Sequence, residues 1–351
     1  MRIIRLSFVS LSVLLFAVSS AGASTTKSHK DGSKGVSQMA GGTGKFGVTY
    51  TLTDNNGLLI NYTILSAAYK IEPCWCAPSG AYAPNSTQKV LEVHYKVKNP
   101  QSTDEYFNGS DYIQVIDQLD ETLTTHDGTG RNVITDDNAA ATLKPGQGIA
   151  DIVTYALVPA KGPESKLILT LGRAGVNEKI LRFPLGTAPN IVTPLPAPYA
   201  DPTDPSGTTA AAEVPATFGT VYVAGFYGLT VSSPTFASGA LGRITPDDGK
   251  KLLTVLVTLK DITEAQQYCN GALQASVTDP DGDSLTMVGN LKAEHDDNWD
   301  GRMLDPAETT SFRAVFEVPT DETLQTLKIA TPIDNTGDYS QTFVYDVSGV
   351  K

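Results

Sequence analysis

Short runs in which apolar and polar residues alternate recur along the whole chain and predict β-strands. The clearest are residues 89–98 and 251–260, whose odd-numbered residues are expected to face inward. Gly, Pro, Asp and Asn separate such runs, and helical periodicity is nearly absent. The closing runs of the two halves lie at residues 166–171, 179–185, 326–330 and 342–347. With about seven strands in each half, the pattern predicts an all-β protein built from immunoglobulin-like antiparallel β-sandwiches.

The two halves of the sequence repeat each other. A shift of 162 residues places residues 89–123 on residues 251–285 without a gap, and ten of these 35 positions are identical. The repeated motifs are Tyr106-Phe107-Asn108-Gly109 with Tyr268-Cys269-Asn270-Gly271, Leu143-Lys144-Pro145-Gly146 with Leu304-Asp305-Pro306-Ala307, and Val158-Pro159 with Val318-Pro319. This order indicates an internal duplication.

The composition of the remaining segments suggests boundaries for two domains. Residues 24–45 are rich in Ser, Thr, Lys and Gly and are expected to form a flexible tail. Residues 187–216 contain seven prolines and are expected to form a semi-rigid linker. We therefore predict that residues 46–186 and 217–351 are tandem sandwich domains that fold independently.

The short motifs at the ends of the predicted strands, taken in order, resemble those of a known family. It consists of a strand ending in Lys98-Asn99-Pro100, the Tyr106 to Gly109 motif, an Asp-rich hairpin, and Lys144-Pro145-Gly146 before a strand ending in Val158-Pro159. In these elements the chain resembles the secreted bacterial immunoglobulin-like domains of unknown function typified by the mycobacterial immunoprotective extracellular antigen. The resemblance implies a sandwich outside the cytoplasm that takes part in binding, and it nominates no catalytic residue.

The N-terminal segment has the features of a secretory leader. Arg2 and Arg5 precede an apolar run at residues 8–18, and Ala21-Gly22-Ala23 supplies the small residues that signal peptidase accepts. We expect cleavage after Ala23, so that residues 1–23 are a signal peptide and the protein is exported to the periplasm, the cell surface or the medium. The formal charge of −12 makes nucleic acid an unfavourable partner. No later segment has the length of apolar sequence that spans a membrane.

Three cysteines are too few for a disulfide framework. Cys74 and Cys76 are separated only by Trp75 and could close a small disulfide ring, pair elsewhere or bind a soft metal, although neither His nor Met lies nearby in sequence. Cys269 aligns with Phe107 and is expected to be a buried, unreactive thiol.

Candidate catalytic residues are sparse, and we expect no enzymatic activity. The four histidines are His29 in the predicted tail, His94 at an outward strand position, and His126 and His295 beside turn residues. Nucleophilic catalysis by Ser or Cys needs a partner base, and none of these positions favours one. Asp136-Asp137 and Asp296-Asp297 are interpreted as solvated loops.

Acidic residues in the second half raise the question of a calcium site. Asp279, Asp281 and Asp283 alternate as calcium ligands can, and Asp296 and Asp300 add oxygen donors in the same half. The EF-hand pattern is not met, because Ser284 replaces the turn glycine and Asn290 the terminal glutamate. A hairpin turn is the other interpretation of Asp279, Asp281 and Asp283, and the composition of this segment favours the turn.

Four aromatic residues of the second half, Tyr222, Phe226, Tyr227 and Trp299, are candidates either for the core or for a platform that binds carbohydrate or protein. The function that the sequence favours is a non-catalytic extracytoplasmic binding or adhesion module, with an unidentified protein or polysaccharide as its partner. A structural spacer in the envelope or matrix is the alternative, and an enzyme comes third.

Overall fold

The computed structural model of the chain describes residues 41–53, 59–77, 80–108, 113–116, 131–133, 139–161, 168–171, 180–185, 192–232, 234–237, 239–333 and 337–350. All of these belong to one compact unit. All regular secondary structure in the described residues is β-strand, which confirms the all-β prediction.

The described residues of the first half form fourteen strands. They are Gly41–Thr43 (β1), Thr49–Thr53 (β2), Leu59–Lys70 (β3), Cys74–Ala77 (β4), Gly80–Tyr82 (β5), Gln88–Lys98 (β6), Glu105–Asn108 (β7), Ile113–Ile116 (β8), Arg131–Asn132 (β9), Ala140–Leu143 (β10), Gly148–Pro159 (β11), Ile168–Leu171 (β12), Ile180–Pro184 (β13) and Val192–Thr193 (β14). One sheet has the order β14-β3-β6-β11-β9 with β2 added on β3, and the other has the order β1-β13-β12-β8. Pairs β7–β10 and β4–β5 stand outside these sheets.

In the second half, the part of the chain that the structure describes contains twelve strands. They are Glu213–Ala216 (β15), Val221–Ala224 (β16), Tyr227–Val231 (β17), Thr235–Ala237 (β18), Lys250–Asp261 (β19), Gln267–Cys269 (β20), Gln274–Thr278 (β21), Ser284–Lys292 (β22), Arg302–Leu304 (β23), Thr309–Pro319 (β24), Thr326–Ala330 (β25) and Thr342–Asp346 (β26). Strand β22 pairs with β21 and then, past an irregularity at Met287, with β24. It thereby joins the layer β15-β26-β25-β21 to the layer β24-β19-β17-β16.

Inward and outward positions follow the alternation expected from the sequence. In β6, Leu91, Val93, Tyr95 and Val97 are buried, and in β19 Leu253, Val255, Val257 and Leu259 are buried. Rings from different strands meet in the first core, where Tyr62 stacks near Tyr95 and makes an edge contact with Phe107. Alternation therefore predicted the buried face at residues 91–98 and 255–260. Val90, Leu252 and Thr254, at even positions, are buried as well, and Leu252 forms a separate apolar cluster with Leu291 and Val315.

The same order of pairings occurs in both halves. β6 pairs with β11 as β19 pairs with β24, and β7 pairs with β10 as β20 pairs with β23. Each half also begins with a short parallel strand, β1 on β13, which among the described strands of its half is followed only by β14, and β15 on β26, the last strand of its half.

Both short strands lie where the sequence predicted irregular chain. Residues 41–43 were placed in the tail, but they pair with β13, and Gly44 lets the chain pass Phe183, whose ring atom Cζ would lie 2.2 Å from a Cβ at that position. The rest of the predicted tail and the leader, residues 1–40, lie outside the described residues.

The predicted linker is packed rather than extended. Val192 begins a pairing with β3, Glu213 begins β15, and Leu195 and Tyr199 between them are buried. Buried apolar residues of both halves and of this segment belong to one hydrophobic cluster. The segment therefore contributes to the packing of both halves, and their independent folding stays a prediction.

Candidate functional site

A cavity of about 380 Å³ lies where the two halves meet. Its lining comes from the β4–β5 hairpin of the first half and from three segments of the second, and comprises Ala81, Tyr82, Ala83, Phe226, Tyr227, Gln267, Tyr268, Asn270, Pro332 and Ile333. We call this space the junction cavity. None of these lining side chains is charged.

The halves are held together beside the cavity by hydrogen bonds between loops. Ser86 N donates to Tyr339 O at 2.9 Å, and Asn85 Nδ2 donates to Asp338 Oδ2 at 3.2 Å. Ala210 N donates to Ala160 O at 2.8 Å, which ties the connecting segment to the first half. These contacts keep the hairpin of the first half against the second half and so set the width of the cavity.

Two partly exposed tyrosines from different halves line the cavity. Tyr82 ends β5 opposite Cys74 and is 38% exposed, and Tyr268 in β20 is 54% exposed. Tyr268 faces outward because its neighbour Cys269 points into the core, and side chains alternate along a strand. The repeat counterpart Tyr106 is equally outward, at 64% exposed, next to the buried Phe107.

Phe226 and Tyr227 form another part of the wall. They follow Gly225, whose φ of +58° and whose closeness to Ile333 both favour glycine at that position. The Tyr227 hydroxyl donates to Tyr268 O at 3.2 Å, and burial raises the pKa of Tyr227, which keeps the hydroxyl protonated. Tyr227 therefore holds the backbone of β20 in place through this hydrogen bond, while the side chain of Tyr268 remains partly exposed to solvent.

Two amide side chains complete the polar part of the lining. Gln267 Nε2 donates to Thr263 Oγ1 at 3.2 Å, and Asn270 Oδ1 accepts from Ala272 N at 3.0 Å. The other amide atoms, Gln267 Oε1 and Asn270 Nδ2, make no hydrogen bond with any residue that the structure describes. Beside the phenol hydroxyls of its tyrosines, the lining therefore has one amide oxygen and one amide nitrogen without a partner among the described residues.

A second cavity, of about 280 Å³, lies on the other side of the hairpin, and Ala81 lines both. Here His94 lies between two carboxylates. Its Nδ1 is 2.9 Å from Asp151 Oδ1, and its Nε2 is 3.2 Å from Glu92 Oε1. The hydrogen bond to Glu92 is the main cause that raises the pKa of His94, and Lys70 at 2.8 Å from Glu92 adds a compensating charge. His94 is an outward residue, as expected, and its two ring nitrogens are occupied by partners that keep it in place.

The cysteines differ in state. Cys74 is buried and disulfide-bonded, and the side chain of Cys76 lies outside those described. Cys269 is a free thiol that is 2% exposed, and burial raises its pKa to about 11, which confirms the expected buried thiol at the position of Phe107.

The four aromatic candidates separate into two pairs. Tyr222 is buried against Phe343, and the half-buried Trp299 packs against the core by stacking on Phe312 with ring centroids 4.5 Å apart. Phe226 and Tyr227 line the junction cavity. Sequence reasoning missed Tyr82 and Tyr268, although the repeated Tyr-x-Asn-Gly motif with an inward residue after the tyrosine indicated an outward aromatic side chain.

The acidic candidates do not converge among the described residues. Asp279 is buried, and its Oδ1 accepts hydrogen bonds from the backbone N–H groups of Asp281 and Asp283, as in a hairpin turn. Asp281, Asp283, Asp296 and Asp300 are exposed, and Asp296 pairs with Arg313 at 2.7 Å. Within the described residues no group of three or more His, Cys, Asp and Glu side chains is arranged to hold a metal ion. The geometry of Asp279 supports the turn, and calcium binding stays untested.

Other candidates are dispersed. His295 is exposed in a loop, while His29, His126 and Asp136-Asp137 lie outside the described residues. Among the described residues no helix is long and apolar enough to cross a membrane.

Comparison with known proteins gives structural neighbours only. No family model and no curated protein matches the chain. Solved structures similar to it include an uncharacterized β-sandwich protein from Clostridium difficile 630, with 17% identity, a TM-score of 0.31, and coverage of 38% of this chain and 92% of that one. The secreted protein MPT63 from Mycobacterium tuberculosis matches with 12% identity, a TM-score of 0.30, and coverage of 39% and 99%. The yjhA protein from Bacillus subtilis matches with 16% identity, a TM-score of 0.26, and coverage of 37% and 97%. One of these neighbours is described as an uncharacterized β-sandwich protein and another as a secreted mycobacterial protein.

Proposed function

We propose that this protein is a non-catalytic binding module that acts outside the cytoplasm and holds its ligand in the junction cavity. The observation that carries the proposal is that partly exposed tyrosines from two different halves, Tyr82 and Tyr268, line one cavity. Ligand pockets are often formed where two parts of a fold meet, and they combine apolar walls with a few polar groups. Export is inferred from Arg2, Arg5 and the Ala21-Gly22-Ala23 site.

The chemistry of the cavity supports binding rather than catalysis. Its lining holds phenols, amides and apolar groups, and the raised pKa of Tyr227 keeps that phenol neutral. In the second cavity Cys74 is in a disulfide, so that His94 has no thiol there to activate.

The proposal is tested by retention of the mature protein on envelope and extracellular-matrix fractions of the producing organism. Tyr268→Ala should lower the affinity by about tenfold, because it removes an aromatic contact at the centre of the site. Tyr106→Ala is the matched control, since it removes an exposed tyrosine at the same position of the other repeat, and it should leave retention unchanged.

Two other results have definite meanings. Equal retention of the wild type, Tyr268→Ala and Tyr82→Ala would place the ligand elsewhere on the surface. If the protein is evenly distributed over all fractions and is removed by washing, the spacer hypothesis replaces the binding module.

A further inference from the structure

The lining of the junction cavity is specific enough to suggest a class of ligand. We infer that it binds a neutral saccharide, an inference that rests on the proposed binding function. Three features of the described lining carry it: uncharged side chains, partly exposed aromatic residues, and two amide atoms that have no hydrogen-bond partner among the described residues.

Charge is the first feature. The chain has a formal charge of −12, yet the ten lining side chains that the structure describes are all uncharged. A charged ligand group buried in such a cavity would lose its hydration without gaining an ion pair, which is strongly unfavourable. The lining therefore favours a neutral ligand over an acidic polysaccharide, a phosphate or a charged peptide.

The aromatic rings are the second feature. Tyr82, Phe226 and Tyr268 are the aromatic residues of the lining beside the buried Tyr227, and a pyranose has apolar C–H faces that pack on aromatic rings. Tyr and Phe rings lose little conformational entropy when they are fixed, which suits a preformed stacking surface.

The third feature distinguishes a saccharide from a proline-rich peptide, the other neutral ligand that aromatic grooves recognise. Gln267 Oε1 is an open acceptor, because Nε2 of the same amide is already bonded to Thr263. The prolines that contact aromatic rings in such a segment have no backbone N–H to donate to this acceptor. A sugar hydroxyl both donates and accepts, and so can satisfy Gln267 Oε1 and Asn270 Nδ2 together.

The test uses the mature full-length protein and an envelope fraction on which the wild type is retained. The fraction is treated with periodate, which cleaves vicinal diols of sugars, or with proteinase K, or is washed with about 1 M NaCl to screen ionic contacts. We expect periodate to abolish retention, and we expect retention to survive both protease and salt. Asn270→Asp keeps the Oδ1 acceptor for Ala272 N but removes the Nδ2 donor, and it should weaken retention about tenfold.

The outcomes separate the two proposals. Retention that depends on Tyr268 but is lost after proteinase K or salt, and not after periodate, would overturn the saccharide while leaving the binding site in place. Retention that does not depend on Tyr268 under any treatment would overturn the binding site itself. Tyr268→Phe, which keeps the ring face, should bind within about threefold of the wild type if stacking is the dominant contact.

Discussion

Asn99 and Asp261 occupy the same position in the two halves, just after β6 and at the end of β19, and both side chains are buried. In each, Oδ1 accepts from a backbone N–H two residues later, Gln101 N in the first half and Thr263 N in the second. Asn99 Nδ2 also donates to the carbonyl oxygens of Thr103 and Leu143. Asp261 Oδ2, at the equivalent place, has no hydrogen-bond partner among the described residues.

Asp261→Asn should therefore stabilise the protein at neutral pH. The change removes a buried carboxylate and supplies the donor that Asn99 uses, and we expect a gain of about 1 kcal/mol in the free energy of unfolding, measured by denaturant titration. The reverse change in the first half, Asn99→Asp, is the matched control and should be destabilising.

The gain should depend on pH. Burial raises the pKa of the Asp261 carboxyl, so the native state retains this proton at a pH where the unfolded chain has lost it. The protonated carboxyl makes its full contribution to the free energy of unfolding below the pKa that it has in the unfolded chain. This contribution is lost as the pH rises through the pKa of the carboxyl in the native state. The advantage of Asp261→Asn should consequently be larger at about pH 7 than at about pH 3, and an advantage independent of pH would contradict this account.

Ala307 is the residue of the second half that takes the place of Gly146, and it has a φ of +66° where the glycine has +75°. A left-handed conformation costs an L-residue about 1–2 kcal/mol, whereas the extra freedom of an unfolded glycine costs about 0.4–1 kcal/mol. Ala307→Gly should thus raise the free energy of unfolding by about 0.5–1 kcal/mol in a thermal or denaturant melt. Gly146→Ala should lower the free energy of unfolding. A Cβ at this position would meet no atom within 4 Å, so the cost comes only from the left-handed backbone conformation.

Strand β20 shows how the repeat adapts its core. Cys269 fills the place of Phe107, and both are 2% exposed, so the smaller thiol is accommodated by packing peculiar to the second half. With its pKa raised to about 11, the thiol is protonated at neutral pH and shielded. We expect iodoacetamide to label Cys269 slowly in the native protein and rapidly once the chain is unfolded, as followed by mass spectrometry. Rapid native labelling would show that β20 opens to solvent.

The elements that sequence could predict are those with a repeating local pattern. Residues 326–330 were expected as a strand and form β25 with the same bounds, and the alternation in β6 and β19 identified their buried residues. β1 and β15 could not be found in this way, because each is short, contains Gly or Pro, and forms by pairing with a strand distant in sequence, β13 or β26. Tertiary pairing, not local propensity, places them.

For the molecule as a whole, the sequence predicted two repeats but not how they pack. The prolines between them suggested a spacer, whereas Tyr199 in that segment is buried against Phe343 and its hydroxyl oxygen accepts from Val223 N at 2.6 Å. The junction cavity exists because the halves meet, and this is why no motif within either half could reveal it. Tyr106 and Tyr268 look equivalent in sequence, and only the contact with the β4–β5 hairpin makes Tyr268 part of a cavity.

If one ligand contacts both halves in the junction cavity, hydrogen–deuterium exchange should show protection of both halves when the ligand binds. The mature protein would be compared alone and with the solubilised ligand fraction, with exchange followed by mass spectrometry of peptides. We expect ligand-dependent protection in four segments together, residues 81–83, 226–227, 267–270 and 332–333, and no change around Tyr106. Protection confined to one half, or lying only outside these segments, would contradict the claim.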